Sequence, residues 1–257
     1  MMKKSGELRA GIRAAREAGK ILMDNYGRVS IKYKRDKTIV TDADIKSEKR
    51  IKEILKEDFP DYSFIAEESG VEQRNSEYTW IIDPLDGTTN YSIRNPFFNV
   101  SIALAKRDES IIGVVYYPFQ DELFYAERGR GSFLNDGKIE VSTIDNIEQS
   151  VLTFCHAGDR KSTERMAGIW ETLKLLNPKV RQIGAAALEL GYVACGRVEC
   201  FIMINLNLWD VAAGSLLVEE AGGEVTDLKG VKFNTNSKDI LASNKMLHSE
   251  LLRLING

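Results

Sequence analysis

The segment WIIDPLDGTTNY, residues 80–91, places two acidic residues directly after an apolar run. The aromatic and β-branched residues at its start predict a buried strand, and the proline after Asp83 predicts that the strand ends there. If Gly87 and the threonines after it open a turn or short helix, their backbone N–H groups are unpaired and attract an anion. Carboxylates beside a phosphate require a cation between them. We therefore predict that Asp83, Asp86 and the Leu85 carbonyl hold Mg²⁺ next to phosphate-binding amides.

Each acidic segment also has a purely structural interpretation. A D-P-x-D-G sequence is typical of turns and caps, which would need no metal at Asp83 and Asp86. Glu67 and Glu68 in FIAEES follow an apolar strand and could belong to a solvated loop. Asp210 in LNLWDVAAG precedes an apolar helix and could be its N-cap. Taken singly, these segments leave both interpretations open.

Two helices and a large sheet are predicted in the first part of the chain. Apolar residues at helical spacing over 8–26 predict the first helix. The second begins at Thr41, where Asp44 can complete a capping pair, and must end before Pro60. Asn-Asp-Gly at residues 135–137 predicts a tight turn. Five β-rich runs predict a partly antiparallel sheet flanked by these helices: YSFIA, YTWII, FFNVSIALA, SIIGVVYYP and ELFYA.

After about residue 150, strands alternate with helices, which predicts a second sheet covered by helices. We therefore expect two halves, with most of the acidic residues in 1–149 and with Asp210 and the substrate contacts in 150–257. No linker rich in Pro, Gly or Ser separates them, so the halves should pack tightly.

The composition excludes several classes of protein. With 35 basic and 38 acidic residues, a net charge of -3 and no long run of one sign, nucleic acid is not expected as a partner. The N-terminal segment has no continuous apolar stretch, so we expect no membrane association and a cytoplasmic protein. Three cysteines and two histidines are too few for a disulfide framework or a zinc site, so a bound metal must have oxygen ligands.

Four motifs in this order resemble the inositol monophosphatase superfamily, which includes archaeal fructose-1,6-bisphosphatase/inositol monophosphatase enzymes: EES (67–69), WIIDPLDGTTNY (80–91), WDVAAG (209–214) and AGG (221–223). The resemblance spans nearly the whole chain. It implies an α+β fold, the layered αβαβα sandwich of the sugar phosphatases, and a homodimer. It also favours the metal interpretation of the acidic residues, since independent helix caps would not reproduce the order of the motifs.

The resemblance implies two Mg²⁺ ions and a third, weaker one. The implied ligands are Glu67, Asp83, the Leu85 carbonyl, Asp86 and Asp210. The first ion would use Glu67, Asp83 and the Leu85 carbonyl, and the second Asp83, Asp86 and Asp210, while Glu67 and water would hold the third.

The resemblance further implies the roles of the residues around the metals. Thr88 and Asp44 match a pair that activates a water molecule, with Glu67 as a third catalytic residue. Asp86, Gly87 and Thr88 would hold the phosphate.

Substrate contacts are implied in segments 156–161, 181–189 and 201–210. The candidate residues there are Arg160, Arg181, Gly184, Ala185, Ala186 and Met203. Inositol-selective members have a glutamate where this chain has Met203, and methionine cannot accept hydrogen bonds from sugar hydroxyls as a carboxylate does. Arginines in this half could meet a second phosphate. Asp36 and Lys37 are candidates in a polar loop before the second helix.

Together with these residues, the resemblance implies a Mg²⁺-dependent phosphomonoesterase acting on inositol 1-phosphate, fructose 1,6-bisphosphate or both. One alternative is a phosphatase of 3',5'-bisphosphate nucleotides or of NADP(H) with the same metal ligands. A protein of another class, a regulatory binding protein that has lost turnover, is disfavoured by the intact acidic set, because close carboxylates repel one another.

Overall fold

Two large β-sheets, one short two-stranded pair and seven helices lie in the described part of the chain, which covers residues 4–28, 30–33, 39–156 and 159–257 of this computed structural model. The loop candidates Asp36 and Lys37 lie outside the described residues, and so do residues 157–158 of the predicted substrate segment. The helices are α1 (Gly6–Asn25), α2 (Asp42–Asp58), α3 (Thr88–Ser92), α4 (Arg160–Leu176), α5 (Ala186–Ala194), α6 (Leu208–Glu220) and α7 (His248–Asn256).

The first sheet has eight strands in the order β10-β9-β8-β7-β6-β5-β3-β4 and is antiparallel except where β3 pairs with β5. Its strands are β3 (Ser63–Ala66), β4 (Gly70–Glu72), β5 (Tyr78–Asp86), β6 (Asn99–Lys106), β7 (Glu109–Tyr117), β8 (Glu122–Glu127), β9 (Ser132–Leu134) and β10 (Gly137–Ile139). The predicted turn at residues 135–137 joins β9 to β10, with positive φ at Asn135 and Asp136.

The second sheet has five strands in the order β12-β11-β13-β15-β14, with β11 parallel to both β12 and β13. Its strands are β11 (Leu152–His156), β12 (Val180–Arg181), β13 (Cys200–Ile204), β14 (Glu224–Thr226) and β15 (Asp239–Ser243). A separate short pair consists of β1 (Ile31–Tyr33) and β2 (Ile39–Thr41). We propose that the boundary between the two halves lies near residue 150, between β10 and β11.

The helices and sheets form five layers in the order α, β, α, β, α. Helices α1 and α2 cover one face of the first sheet, in a cluster that includes Trp80 and Ile82. The neighbouring Ile81 points to the other face, where α5 and α6 fill the space between the sheets. Helices α4 and α7 cover the outer face of the second sheet. Because helices cover both faces, the strands are continuously apolar rather than alternating. The predicted layered α+β sandwich is confirmed.

The first two helices follow their predicted boundaries. The second starts with the predicted capping box, in which Asp44 Oδ2 accepts from the Thr41 N–H at 2.9 Å and Thr41 Oγ1 accepts from the Ala43 N–H at 3.2 Å. This cap fixes the position of Asp44 at the start of a rigid helix. Among the described helices, none combines the length and the apolar character needed to cross a bilayer.

Candidate active site

Strand β5 does not end at Pro84. It continues to Asp86, and its register against β6 shifts between the Asp83–Ser101 pair and the Asp86–Asn99 pair. The prediction of a strand end at Asp83 is therefore wrong, because a bulge accommodates a proline that a regular ladder would exclude. The bulge also turns Asp83 Oδ1 toward its own backbone, where it accepts from the Leu85 N–H at 3.0 Å.

Gly87 joins this strand to the short helix α3, as the sequence predicted. It has φ +87° and caps the helix, whose first residue is Thr88. A Cβ atom at Gly87 would lie 2.7 Å from the Phe97 carbonyl oxygen and 3.3 Å from the Ala185 Cβ. Glycine is required here both by the backbone conformation and by the space available.

Gly87→Ala should therefore destabilise the protein by at least about 2 kcal/mol, since overpacking and a left-handed backbone each cost roughly 1–3 kcal/mol. The free energy of unfolding in urea measures this. Gly129→Ala is the matched control, because Gly129 has φ +76° and nothing within 4 Å of the position of its Cβ. Equal losses in the two variants would mean that the contact with Phe97 is unimportant.

Thr88 faces Asp44 across the junction of α2 and α3. Its hydroxyl oxygen lies 3.4 Å from Asp44 Oδ1 and 3.0 Å from the Leu85 carbonyl oxygen, so its single hydrogen has two acceptors. Asp44 is fully buried, and burial raises its pKa to about 6, although hydrogen bonds from Thr41 act in the opposite direction. The carboxylate is thus both a helix cap and a neighbour of Thr88.

Asp86 is held by donors from two distant segments. Its Oδ1 accepts from the Ala186 N–H at 3.1 Å, and its Oδ2 accepts from the Ala187 N–H at 2.8 Å and from Asn99 Nδ2 at 2.6 Å. The first two amides belong to the N-terminus of α5, where a negative charge is stabilised. Burial nevertheless raises the pKa of Asp86 to about 6, against the effect of these hydrogen bonds.

Asp210 lies in the first turn of α6 but is not the N-cap. Asn207 is the cap, and Asp210 Oδ2 accepts from the Asn207 N–H at 3.1 Å and from Asn207 Nδ2 at 3.3 Å. Burial, and then the charge of Asp86, raise the pKa of Asp210 to about 8. The side chain is therefore fixed by its helix and close to the acids of β5.

Glu67 directly follows β3 and lies near Asp83 of β5. Its N–H donates to the Ile82 carbonyl oxygen at 3.1 Å, which extends the parallel pairing of β3 with β5 up to the acidic residues. Glu48 on α2 fixes the loop, since its carboxylate accepts from the N–H groups of Glu68 at 2.8 Å and Ser69 at 3.0 Å. Glu48 is not among the residues predicted from the sequence, although an acid on the inner side of an amphipathic helix was an available signal.

The four acids influence one another electrostatically. The pKa of Asp83 is raised well above its usual range, first by burial and then by the charges of Glu67, Asp86 and Asp210. Within the described part of the chain, no three His, Cys, Asp or Glu side chains already stand as a ready-made metal cluster. The fit to a metal therefore rests on donor chemistry: carboxylates and the Leu85 carbonyl are the oxygen ligands that Mg²⁺ takes, and a divalent cation would offset their repulsion.

The predicted small-residue segment lies beside these acids. Gly184 has φ +82°, and Asn90 Nδ2 of α3 donates to the Ile183 carbonyl oxygen at 2.9 Å and to the Gly184 carbonyl oxygen at 3.3 Å. Ala185 and Ala186 are buried at the start of α5. This turn is therefore attached both to α3 and, through the α5 amides, to Asp86.

The other predicted substrate residues have local partners. Met203 is 4% exposed and packs in the core between the sheets. Arg160 pairs with Glu164 at 2.8 Å on the exposed start of α4, and Arg181 donates to the Val180 carbonyl oxygen at 3.0 Å. Their roles in substrate binding stay predictions.

The whole chain is similar to known phosphatases. The model of the inositol monophosphatase family matches residues 5–257. The "Fructose-1,6-bisphosphatase/inositol-1-monophosphatase" of Thermotoga maritima is 37% identical over 248 residues, 95% of this chain and 94% of that protein. The "Nus factor SuhB" of Pasteurella multocida is 38% identical over 255 residues, 96% of this chain and 95% of that protein.

The fold is also similar to that of solved structures. The extragenic suppressor protein suhB from Bartonella henselae has a TM-score of 0.93 and 37% identity, and the match covers 98% of this chain and 99% of that one. Sequence, fold and acidic residues thus agree. The chain belongs to the inositol monophosphatase family and is a phosphatase that hydrolyses phosphomonoesters.

Proposed function

We propose that this phosphatase requires Mg²⁺ and acts on a small sugar or cyclitol phosphate, with inositol 1-phosphate and fructose 1,6-bisphosphate as the substrates. The observation that supports this most is the approach of the Asp83, Asp86 and Asp210 side chains to one another next to the start of α3, where Asp83 and Asp86 are buried and the charges of Asp86 and Asp210 raise the pKa of Asp83. The name of the Thermotoga maritima relative supports the same two substrates.

The residues proposed to hold Mg²⁺ are Glu67, Asp83, the Leu85 carbonyl, Asp86 and Asp210. Asp83 is central to this set, since the charges of the other three carboxylates all raise its pKa. We assign Glu67, Asp83 and the Leu85 carbonyl to one ion and Asp83, Asp86 and Asp210 to a second, with a weaker third ion near Glu67. Bound Mg²⁺ would supply charge for the phosphate oxygens and lower the pKa of an attacking water.

Thr88 and Asp44 are proposed to position that water and to take up its proton. The Thr88 hydroxyl can donate to Asp44 Oδ1 or to the Leu85 carbonyl oxygen but not to both. If the Leu85 carbonyl is a metal ligand, the hydrogen of Thr88 is left for Asp44, and the Thr88 oxygen becomes an acceptor for the water. With a pKa of about 6, Asp44 is mostly ionised at neutral pH and can accept the Thr88 hydrogen.

The phosphate is proposed to bind at the junction of β5 and α3. The backbone amides of Gly87 and Thr88 directly follow Asp86 there, so the amides that would hold the phosphate are adjacent to a residue that would hold the cation. The close packing of Gly87 against the Phe97 carbonyl and the Ala185 Cβ fixes the position of this junction. The adjacent turn at Gly184 would then face the alcohol part of the substrate.

A panel of phosphate esters tests the proposal. Inositol 1-phosphate, fructose 1,6-bisphosphate, adenosine 3',5'-bisphosphate and NADP(H) are each incubated with the protein, with Mg²⁺ or with a chelator, and released phosphate is measured. We expect release from the first two substrates, and only with Mg²⁺. Turnover of the nucleotides alone would refute the sugar-phosphate assignment, and full activity in chelator would refute the metal assignment.

The same panel separates catalysis from a regulatory role. Two relatives carry the name "Nus factor SuhB", which is not the name of an enzyme, so a regulatory function is the alternative to test. Absence of turnover on all four esters, with Mg²⁺ present and the fold intact, would favour that alternative. We also propose a homodimer, which sedimentation of the purified protein would test.

A further inference from the structure

Glu189 is a buried acid with no assigned role. It lies in the first turn of α5, and its side chain is fully buried among alanine and leucine residues of the core between the sheets. Its Oε1 accepts from the Gly184 N–H at 3.0 Å, while its Oε2 has no hydrogen-bond partner. An apolar side chain would pack in this core without desolvating a carboxyl group, so the contact with Gly184 needs an explanation.

The contact belongs to a set that fixes one turn from three sides. Gly184 has a left-handed backbone, and its N–H is held by Glu189 from inside α5. Asn90 of α3 donates to the carbonyl oxygens of Ile183 and Gly184 from a second side. Asp86 accepts from the first two amides of α5 from a third side. The turn therefore connects the Asp86 carboxylate to the backbone of the proposed substrate site.

We propose that Glu189 is a positioning residue that fixes the turn at residues 183–186 and, through it, the substrate-facing backbone and the orientation of Asp86. This role rests on the proposed function, because it concerns the same site. Asn90 constrains only the carbonyl side of the turn, so loss of the Glu189 carboxyl group would free the Gly184 N–H and let the peptide rotate.

The ionisation of Glu189 determines which variant preserves the contact. Burial raises its pKa to about 8, so the neutral form predominates at pH 7. Thr153 lies beside the carboxyl group, but its own hydroxyl hydrogen goes to the Cys200 carbonyl oxygen at 3.0 Å. Thr153 can therefore serve as an acceptor for a proton on the Glu189 carboxyl group. Glutamine reproduces both features of neutral Glu189, an acceptor for Gly184 and a donor for Thr153, whereas methionine has the length but neither group.

The test compares Glu189→Gln and Glu189→Met with the same changes at Glu199. Glu199 is a matched control because it is 2% exposed, its Oε2 accepts from the Val151 N–H at 2.5 Å, and it lies outside the acidic site. KM and kcat are measured for inositol 1-phosphate and fructose 1,6-bisphosphate with Mg²⁺. We expect E189M to raise KM by roughly tenfold or more, as small misplacements in a site do, and E189Q to stay within about twofold of wild type. E199M should lower the melting temperature without changing KM.

Three kinetic results would overturn the inference: an unchanged KM in E189M, an equal change in E199M, or a loss in E189Q as large as in E189M.

Hydrogen exchange of the peptide around residues 183–187 gives a readout without substrate. Exchange should be slow in wild type and E189Q and fast in E189M, with no change in E199M. If wild type hydrolyses neither ester, the proposed function fails and exchange alone decides the role of Glu189. If E189M does not fold, rapid exchange of the Gly184 amide in wild type would still refute the hydrogen bond from the Gly184 N–H to Glu189.

Discussion

Replacing Asp83 with asparagine should abolish phosphate release and, in the presence of a chelator, raise the melting temperature. Asp83 is 2% exposed, and burial and three neighbouring carboxylates disfavour its charge. Asparagine keeps the acceptor for the Leu85 N–H and removes the charge. The loss of a ligand shared by both proposed ions removes several kcal/mol of transition-state stabilisation, on the order of a thousandfold in kcat/KM.

The gain in stability has the same origin as the loss of activity. Without metal, a charge at Asp83 repels those of Glu67, Asp86 and Asp210, and each kcal/mol relieved raises the melting temperature by about 2–4 °C in a chain of this size. Asp227→Asn is the control, since Asp227 also accepts from the N–H two residues ahead, at 2.8 Å, but lies in a loop outside the site. Asp227→Asn should change neither the rate of phosphate release nor the melting temperature in chelator. A D83N protein that is less stable in chelator would contradict the picture of a strained metal-free site.

Asp86 is a poorer choice for this experiment than Asp83. From residue type alone, Asp86→Asn removes a charge at little change in shape. In the structure, all the hydrogen bonds of Asp86 come from donors, two of them to Oδ2. An amide group there must turn its own hydrogens toward Ala187 or Ala186, so the variant would lose contacts as well as a charge.

The sequence groups four of the candidate site residues because they lie close along the chain and their types suit one chemistry. Asp83, Leu85, Asp86 and Thr88 all belong to one strand, its bulge and the helix after it. The predicted strand end at Asp83 is wrong because periodicity does not distinguish a bulge from a terminus. The positions of the remaining acids depend on register, which sets Glu67 beside β5 only when β3 pairs in parallel.

The partners of the acids were harder to predict. The amides of Ala186 and Ala187 bind Asp86 from 100 and 101 residues away, and backbone donors leave no trace in residue type. Glu189 did leave a signal, as the only acid in the apolar segment AAALELGYVA. That signal indicates a buried polar contact but does not identify Gly184 as the partner.

The largest effect of conditions should be a pH-dependent stabilisation by Mg²⁺. In chelator, Asp210 and Glu189 titrate near pH 8 in the folded protein, against ordinary values of 3.8 and 4.5. Between these pKa values the folded state binds more protons than the unfolded state. The contribution of Asp210 and Glu189 to the free energy of unfolding is therefore present at low pH and is lost as pH rises through about 8. The melting temperature in chelator should therefore fall from pH 6.5 to pH 8.5. Below pH 6.5 buried His248, whose pKa is lowered by burial, has the opposite effect.

Mg²⁺ should offset the fall in melting temperature at high pH, because it binds carboxylates only after their protons leave. The increase in melting temperature on adding Mg²⁺ should thus be larger at pH 8.5 than at pH 6.5, and at a concentration one hundred times Kd it corresponds to about 2.7 kcal/mol. Differential scanning fluorimetry at both pH values, with Mg²⁺ or chelator, measures it, and D83N should lose most of the increase. An increase of equal size at both pH values would mean that Mg²⁺ does not compete with protons on Asp83, Asp86 and Asp210, and so does not bind there.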